Sequence, residues 1–439
     1  MSPIASSISQ SLENILGAAG VVSWDGADPV LRSQIAQAVT PNTQIDCIAY
    51  PETQEQLAEV MTCAAQNRWR VLPCGSGSKL HWGGLADRIN LVISTARMNR
   101  LIEHAVGDLT VTVEAGMRLA DLQAVLGKES QFLAIDPSYS DRATIGGIVA
   151  TGDTGSLRQR YNSVRDMVIG ISFVRSDGEV AKAGGRVVKN VAGYDLMKLL
   201  TGSYGTLGII SQITFRIYPL PAASQTIVLT GDSGAITQAT AALLASGLTP
   251  HAIDLIDAQT VQALGLGEGV GLISRFQTIE VSIAEQTRQL LAMVENLGLR
   301  AISKSGDDET ALWHQLRERI EAAPQPTTVT CKIGVLPAQA VQTLSQFSDI
   351  APDLITQIHA GSGLGVVRSD SLSSGDVLKL RSICEAQGGF LSVQAAPLSI
   401  KQAIDVWGSS GPSLDLMRRV KQQFDPQSLL SPGRFVGGI

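Results

Sequence analysis

Apolar residues recur along the first part of the chain with two alternating periods. Residues 57–64 show helical spacing, which predicts a helix that opens at Pro51, and a short strand follows over 70–72. Residues 109–114 alternate between apolar and polar positions, as a strand with one buried face does, and 119–126 return to helical spacing. The helix and strand before residue 73 therefore deliver the next segment as a loop.

The stretch 184–219 joins a glycine-dense loop, a short helix, a turn and a strand. Its leucines in 196–200 share one helical face, and Gly202 stands where a helix must end with positive φ. Residues 209–217 then alternate as one buried strand face requires. So much glycine between apolar elements places backbone close to a ligand or to another strand, and the pattern alone leaves both open.

The pattern changes after about residue 222 to strands and helices with fewer glycines. This arrangement predicts an antiparallel sheet covered by helices on one face, and hence an α+β protein. The segments concerned are the strands at 227–229, 328–335, 354–359 and 390–393 and the helices at 236–245 and 290–297.

Composition sets limits on the class of protein. A chain of 439 residues with 44% hydrophobic and 17% charged residues is expected to form two domains. Its net charge of −6, without a cluster of Lys and Arg, argues against nucleic acid as a partner. The five cysteines show no metal-binding spacing, which predicts a reducing compartment and no iron–sulfur cluster in this chain. We find no secretory signal or membrane-spanning run, so we expect a cytoplasmic protein.

The loop after residue 72 has the composition of an anion site. Small residues let successive backbone N–H groups point inward as a nest that binds phosphate, and a lysine can add a positive charge. The GxxxxGK[ST] spacing of a Walker loop is missing, and on pattern alone a tight surface turn is at least as good an explanation. The residues are Pro73, Gly75, Ser76, Gly77, Ser78 and Lys79.

A second segment, 135–155, alternates Gly, Ala and Thr with apolar residues. Such backbone suits a wall against a flat ring whose polar edge needs N–H and C=O partners. A tightly packed strand connection explains the same composition, and by composition alone it is the simpler account.

The run VVKNVAGYDLMKLLTGSYGTLGII resembles the flavin domain of the FAD-binding family that includes vanillyl-alcohol oxidase and p-cresol methylhydroxylase (PCMH). Within that family it is similar to FAD-binding subunits of bacterial glycolate oxidase (glycolate dehydrogenase) complexes. Tyr204 replaces a glutamate of the GSEGTLG pattern, which favours the smaller of the flavin subunits. The resemblance implies a two-domain PCMH-type fold with an α+β cap domain.

The resemblance also implies domain limits and cofactor contacts. The expected domains are a helical lead-in over 1–44, the FAD-binding domain over 45–221, the cap over 222–420 and a tail over 421–439 that returns to the FAD domain. The loop at 73–79 corresponds to the family's pyrophosphate loop. The other implied contacts to FAD are Asp136, Pro137, Thr144, Gly146, Gly147, Thr151, Gly152, Gly208 and Ile210.

Catalytic residues are harder to identify. Metal-dependent relatives carry an H-x-G-D-G-N-x-H pattern in the cap, whereas this chain has His359 followed by Ser362, Leu364 and Val366 at the other ligand positions. We therefore predict no metal site, and the sequence identifies no base. His81 follows the pyrophosphate-like loop, but its surroundings do not reproduce the motif of covalently flavinylated relatives, so noncovalent FAD is expected.

The resemblance implies an FAD subunit that helps to oxidise glycolate, or D-lactate, to the 2-oxo acid. Its expected partners are a flavin-dehydrogenase subunit and an iron–sulfur subunit, and any contact with the inner face of a membrane would be peripheral, through them. Because the substrate site is depleted, we expect an auxiliary or electron-relaying role. Two alternatives stay open: a stand-alone FAD-dependent 2-hydroxy-acid dehydrogenase, and a structural subunit that binds no flavin.

Overall fold

The chain divides into two compact units. The computed structural model describes residues 3–185, 194–322, 325–351, 353–408 and 411–439, with backbone alone for 3–7. Residues 186–193 of the glycine-dense stretch lie outside the described residues. The first unit comprises 1–154, 162–220 and 409–439, and the second comprises 155–161 and 221–408.

In the described residues, the helices and strands confirm the α+β class. The strands are β1 Val21–Ser23, β2 Cys47–Ala49, β3 Val71–Cys74, β4 Leu91–Ser94, β5 Leu101–Ala105, β6 Thr110–Glu114, β7 Gln131–Phe132, β8 Val168–Val174, β9 Val180–Gly184, β10 Ile209–Arg216, β11 Tyr218–Pro219, β12 Ala223–Gly231, β13 Ala252–Ile256, β14 Val270–Thr278, β15 Arg300–Ser305, β16 Val329–Gly334, β17 Ile355–His359, β18 Leu364–Ser369 and β19 Phe390–Ala395. The helices are α1 Pro3–Leu16, α2 Pro29–Ala36, α3 Gln54–Asn67, α4 Leu119–Gly127, α5 Ile145–Thr151, α6 Arg158–Tyr161, α7 Val164–Met167, α8 Leu196–Leu200, α9 Ser233–Ala245, α10 Ala258–Ala263, α11 Glu280–Val294, α12 Gly306–Glu321, α13 Ala340–Ser348, α14 Ser374–Ala386, α15 Leu398–Ala403 and α16 Leu414–Phe424.

The first unit contains a mixed sheet of order β1-β2-β4-β3 and an antiparallel sheet of order β5-β6-β10-β8-β9. The C-terminal tail is tied to the mixed sheet, because the Val71 N–H donates to Leu429 O at 2.8 Å and the Ser431 N–H donates to Val71 O at 2.9 Å. Ile8 and Leu12 of α1 are fully buried in the same core as Val71. Both ends of the chain thus pack on the first unit.

Local signals in the first unit explain where elements begin and end. The helix expected from Pro51 begins at Gln54, because the Thr53 hydroxyl accepts the Gln56 N–H at 3.2 Å and caps the helix there. The short helix α8 and its end before Gly202, at φ +79°, confirm the predicted helix and its end, but Leu200 is buried while Leu199, expected on the same face, is 36% exposed. In β10, Ile213 and Phe215 are fully buried, as the alternation predicts.

The second unit is built on an eight-stranded antiparallel sheet in the described part of the chain, with order β15-β12-β14-β13-β17-β18-β16-β19. The prediction that helices cover one face is wrong. Ile227 and Leu229 of β12 belong to the main core, but Val228 between them packs with Leu312 and Leu316 of α12 in a second cluster. Alternate strand residues face opposite sides, so this sheet buries apolar side chains on both.

A buried histidine makes the second unit sensitive to acid. His251 is 8% exposed, and its Nδ1 accepts the Gln277 N–H at 3.3 Å. Burial, together with the charges of Arg160 and Arg275, lowers the pKa of His251 from 6.5 to about 4. Between these two values the unfolded chain binds the extra proton and the folded chain does not.

We expect this difference to destabilise the protein as the pH falls from 7 to 4. The free energy of unfolding falls by roughly 3 kcal/mol once the pH is below the pKa of His251 in the folded state. His251→Gln keeps an acceptor for the Gln277 N–H but cannot titrate. Melting temperatures are measured for both proteins between pH 7 and 5, before most carboxylates titrate. The melting temperature of the wild type should fall more steeply with pH than that of His251→Gln. Parallel curves would show that His251 does not cause the loss of stability.

Candidate functional site

The first unit contains an open cavity lined mainly by small and apolar residues. Three segments supply most of its wall: the loop after β3, helix α5, and the segment that leads into β10. The lining residues are Pro73, Cys74, Gly75, Ser76, Gly77, Ser78, Lys79, Leu80, Thr95, Thr144, Gly146, Gly147, Ala150, Thr151, Tyr204, Gly205, Gly208, Ile209, Ile210 and Arg434.

The loop after β3 presents backbone rather than side chains. Within the described part of the chain, none of the amides of residues 75–78 donates to a backbone carbonyl. The loop is held from behind, since the Ser94 hydroxyl donates to Gly75 O at 3.0 Å and the Ser76 hydroxyl donates to Arg142 O at 2.6 Å. Gly77 has φ +81°, which favours glycine. Amides that have no backbone acceptor, in a loop of small residues, suit an anion-binding nest.

The residue that brings positive charge to this wall is Arg434, whereas the sequence suggested Lys79. Lys79 was expected to add charge to the loop, but its Nζ lies 3.1 Å from the Asp153 carboxylate and both side chains are buried. Arg434, from the C-terminal tail, is 4% exposed and donates to Leu80 O at 2.8 Å. Burial lowers the pKa of Arg434 to about 10, so it remains a cation at neutral pH. Lys79 is thus matched by Asp153, while Arg434 brings charge to the cavity.

The second segment is helix α5, and not the strand connection that its composition also allowed. A Cβ built on Gly146 would lie 2.8 Å from Ala115 Cβ and 3.0 Å from Ala115 O, so this glycine is needed for packing against the protein itself. Gly146 lines the cavity with its backbone, but a side chain added there would be directed at Ala115. A Cβ built on Gly147 would lie 3.2 Å from Thr144 Oγ1, which is its neighbour within 4 Å. Gly147 is the glycine that keeps this wall open.

The third segment brings a phenol to the cavity. Tyr204 has φ +54°, and its N–H donates to Ala150 O in α5 at 2.8 Å, which ties the two segments together. Its ring packs 5.7 Å from that of Phe435. Burial raises the pKa of Tyr204 well above its ordinary value, so the hydroxyl stays neutral and can donate a hydrogen bond. A Cβ on Gly208 would lie 2.6 Å from the Phe173 ring.

Most residues predicted from the sequence meet at this cavity. All but Asp136, Pro137 and Gly152 line it. Gly152, at φ +60°, ends α5. Residues that sequence reasoning did not assign to the site are Cys74, Leu80, Thr95, Ala150, Tyr204, Gly205, Ile209 and Arg434. The terminal motif that contains Arg434 was a usable signal, because it was expected to return to this domain.

His81 lies beside the loop but outside the cavity lining. Its ring packs against Trp82 and Tyr139, with centroids 6.4 and 5.9 Å away, and its Nε2 lies 3.4 Å from the Tyr139 hydroxyl. The His81 side chain thus contacts two aromatic neighbours.

A polar cluster occupies one face of the sheet in the second unit. His359 Nδ1 lies 2.6 Å from Asp254 Oδ1, and the other oxygen of Asp254 accepts from the Ser156 hydroxyl at 2.6 Å and from Gln357 Nε2 at 3.0 Å. Asp254 is fully buried, whereas the His359 side chain is 13% exposed. In the described residues no three His, Cys, Asp or Glu side chains come together as a possible metal site.

The cavity fits the chemistry of FAD. Amides of residues 75–78 and the Arg434 guanidinium suit a diphosphate, since charge-assisted hydrogen bonds to phosphate are strong. The apolar side chains of Leu80, Ile209 and Ile210, beside the small residues of α5, suit a flat ring.

Comparison with known proteins agrees with this chemistry. Residues 45–184 match the family described as FAD binding domain, and residues 409–435 match the C-terminal domain of FAD linked oxidases. The glycolate oxidase subunit GlcD of Bacillus subtilis is 25% identical over 96% of this chain and 96% of its own. The mitochondrial D-lactate dehydrogenase (cytochrome) of Arabidopsis thaliana is 26% identical over 89% of this chain and 73% of its own.

A solved structure extends the likeness to the fold. The crystal structure of p-cresol methylhydroxylase with substrate bound matches with a TM-score of 0.78 at 15% identity, over 99% of this chain and 97% of that one. The resemblance seen in the sequence is thereby confirmed. The chain thus matches the FAD binding domain and the C-terminal domain of FAD linked oxidases over parts of its length, and it has the fold of p-cresol methylhydroxylase.

Proposed function

We propose that this chain binds FAD noncovalently in the cavity of the first unit and uses it to oxidise a small 2-hydroxy acid, glycolate or D-lactate, to the 2-oxo acid. The observation that carries the proposal is the cavity itself, which combines a backbone nest, a buried guanidinium and an apolar wall. The names of the glycolate oxidase and D-lactate dehydrogenase relatives support the substrate class.

The chain's own residues divide the work of holding the cofactor. The amides of 75–78 and Arg434 would hold the diphosphate, and the neutral phenol of Tyr204 would offer a hydrogen-bond donor beside the ring. Gly147 leaves room for the ring, and Ile210 covers it with apolar surface that excludes water. When bound, FAD supplies the oxidant for hydride removal from the hydroxyl-bearing carbon.

The three predicted contacts outside the cavity lining support it from behind. The Asp153 carboxylate accepts the Ser138 N–H at 2.8 Å and pairs with Lys79, so it links the segment of Asp136 and Pro137 to the phosphate loop. Gly152 ends α5 and so fixes the direction of the next segment. We infer that these residues position the loop and do not contact FAD.

The chain is further proposed to work as a subunit of a glycolate oxidase complex. The GlcD relative is a subunit by name, and an acceptor is needed for the electrons that the flavin collects. A flavin-dehydrogenase subunit and an iron–sulfur subunit are the proposed partners. In the described residues no helix is both long and apolar enough to span a membrane, and any attachment at a membrane's inner face is proposed to occur through the partners.

Anaerobic reduction of the bound flavin tests the proposal. Glycolate or D-lactate should bleach the absorbance near 450 nm in the purified chain, whereas acetate, which lacks the hydroxyl, should not. Bleaching only after the partners are added would assign an auxiliary role to this chain. Flavin that dithionite reduces but neither acid does, alone or in the complex, would overturn the proposed function.

A further inference from the structure

The C-terminal tail holds the chain just before the loop at 73–79. Leu429 O accepts the Val71 N–H at 2.8 Å, and the Ser431 N–H donates to Val71 O at 2.9 Å. Val71 is the first residue of β3, the strand that runs directly into the loop. The tail therefore fixes the start of the strand that delivers this part of the cavity wall.

The same tail holds the chain again after the loop. The Asp87 N–H donates to Pro432 O at 2.7 Å, and the Gly84 N–H donates to Arg434 O at 3.1 Å. The Arg434 side chain also donates to Leu80 O at 2.8 Å. Residues 429–434 thus bracket the loop, with backbone hydrogen bonds on both of its sides.

A buried ammonium group ties the tail to a second part of the cavity wall. Lys421 Nζ donates to Thr206 O and Leu430 O, both at 2.8 Å, and to the Asp425 carboxylate at 2.6 Å. A lysine ammonium has three N–H donors, and each one has an acceptor here. Thr206 belongs to the segment 204–210, most of which lines the cavity. Lys421 is therefore the point at which this segment and the tail are joined.

The two walls are thus connected to each other through the tail. A dinucleotide that contacts the loop amides and also packs on the segment 204–210 needs both walls at the right separation. Such a ligand binds the chain with a docked tail more tightly than the chain with a detached tail. Because coupling between two equilibria is reciprocal, the bound ligand stabilises the docked tail by the same factor.

We propose that residues 429–434 form a latch that retains FAD: the cofactor is held while the latch is docked and is released when it detaches. This inference rests on the proposed function, which makes FAD the occupant of the cavity. Lys421 and Gly84 are positioning residues of the latch. Both lie outside the cavity lining, so they act on the cofactor through the position of the tail.

Gly84→Ala tests the latch without changing a charge or a residue of the cavity wall. A Cβ built on Gly84 would lie 2.6 Å from Arg434 O, a backbone atom that can move only with the tail. The variant should release FAD about tenfold faster, about 1.4 kcal/mol, measured as the flavin absorbance that stays with the protein during repeated desalting.

Gly107→Ala is the matched control for this variant. Gly107 is an exposed residue of the same unit, and a Cβ built there meets no atom of the described residues within 4 Å. Neither Gly84 nor Gly107 has a positive φ, so alanine fits the backbone at both positions. Gly107→Ala should therefore release FAD at the wild-type rate.

A double variant, Lys421→Met with Asp425→Asn, tests the latch from its other end. Replacing both members of a buried ion pair by neutral residues of similar size often leaves stability unchanged. The protein should fold, lose the bond to Thr206 O and release FAD about tenfold faster. Glu285→Gln with Arg288→Met is its control, because this helical pair lies in the second unit with side chains 49% and 67% exposed.

Hydrogen exchange measures the reverse effect and needs no turnover. With FAD at 100 times its Kd, the amides of Gly84, Asp87 and Ser431 should exchange about 10-fold to 100-fold more slowly than in the apoprotein. Amides of helix α4, in the same unit, should change by less than about twofold.

The outcomes separate the latch from the proposed function. Wild-type release rates in both Gly84→Ala and the double variant would overturn the latch. Protection of the loop at 73–79 by FAD, without slower exchange at Gly84, Asp87 and Ser431, would also overturn it and leave the FAD site intact. A wild type that takes up no FAD would overturn both the latch and the proposed function.

Discussion

Asp425→Ala should cost the first unit about 3–5 kcal/mol of its free energy of unfolding, since it leaves a buried charge without its partner. Asp425 is fully buried, and its carboxylate lies 2.6 Å from Lys421 Nζ in α16. It also accepts the N–H groups of Leu429 and Leu430, at 2.9 and 2.8 Å. One substitution therefore removes an ion pair and the acceptors of two backbone N–H groups.

The loss should extend to the cofactor site. Lys421 donates to Thr206 O and Leu430 O, both at 2.8 Å, so the pair ties the C-terminal tail to the segment that lines the cavity. Burial lowers the pKa of Lys421, and the Asp425 carboxylate opposes that shift. Without Asp425 the lysine is expected to give up its proton or to move towards water, and the tail that carries Arg434 should loosen.

Urea unfolding followed by release of flavin fluorescence measures this effect. Asp415→Ala is the matched control, because Asp415 lies in the same helix in an ion pair with Arg418 but its side chain is 89% exposed. Surface pairs of this kind contribute little. Equal unfolding midpoints for the two variants would show that the buried pair does not hold the tail.

Gly147→Val should reduce FAD affinity at least tenfold, about 1.4 kcal/mol, while the protein still folds. The valine side chain would project from α5, where Thr144 Oγ1 is the neighbour within 4 Å of its Cβ. It would therefore occupy space in the cavity. Gly146→Val should instead lower stability, because its Cβ would overlap Ala115.

Titration of the apoprotein with FAD distinguishes these cases. Gly127→Val is the control, since Gly127 also lies in a helix of the first unit and a Cβ there meets no atom within 4 Å. If Gly147→Val bound FAD with wild-type affinity and Gly127→Val had lost affinity for FAD, the flavin would have to lie elsewhere.

Much of the first unit could be predicted because its signals are local. The helical spacing before Asn67, the strand after it and the glycines of the loop at 73–79 all lie within one short stretch, and each has a direct physical meaning. The short helix α8 and its end at Gly202 follow from the same kind of evidence. The loop's position followed from these signals and its role from its resemblance to the family's pyrophosphate loop, and the loop lines the cavity.

The direction of individual side chains could not be predicted from composition. Gly146 and Gly147 are neighbours with the same chemistry, but one faces Ala115 and the other faces the cavity. Helix α5 was missed because its Gly and Thr residues favour a loop, although Ile145, Ile148 and Val149 have helical spacing and are buried. The charge of Lys79 could not be assigned either, because its partner Asp153 lies 74 positions further along the chain.

The pair of Asp254 and His359 shows the same limit more strongly. Sequence reasoning compared His359 with a metal-binding pattern and found the other ligands replaced, which suggested a depleted site. The carboxylate that contacts the imidazole comes from another strand, and only strand pairing brings it there. Long-range pairing also determines that the second sheet buries both faces.

The central claim is that this chain holds FAD noncovalently in the cavity of the first unit. An absorption spectrum of the purified protein before and after acid precipitation tests it most directly. We predict a flavin spectrum in the native protein, about one FAD per chain, and all of the yellow colour in the supernatant after precipitation. A colourless protein that takes up no added FAD, or flavin that stays with the precipitate, would contradict this account.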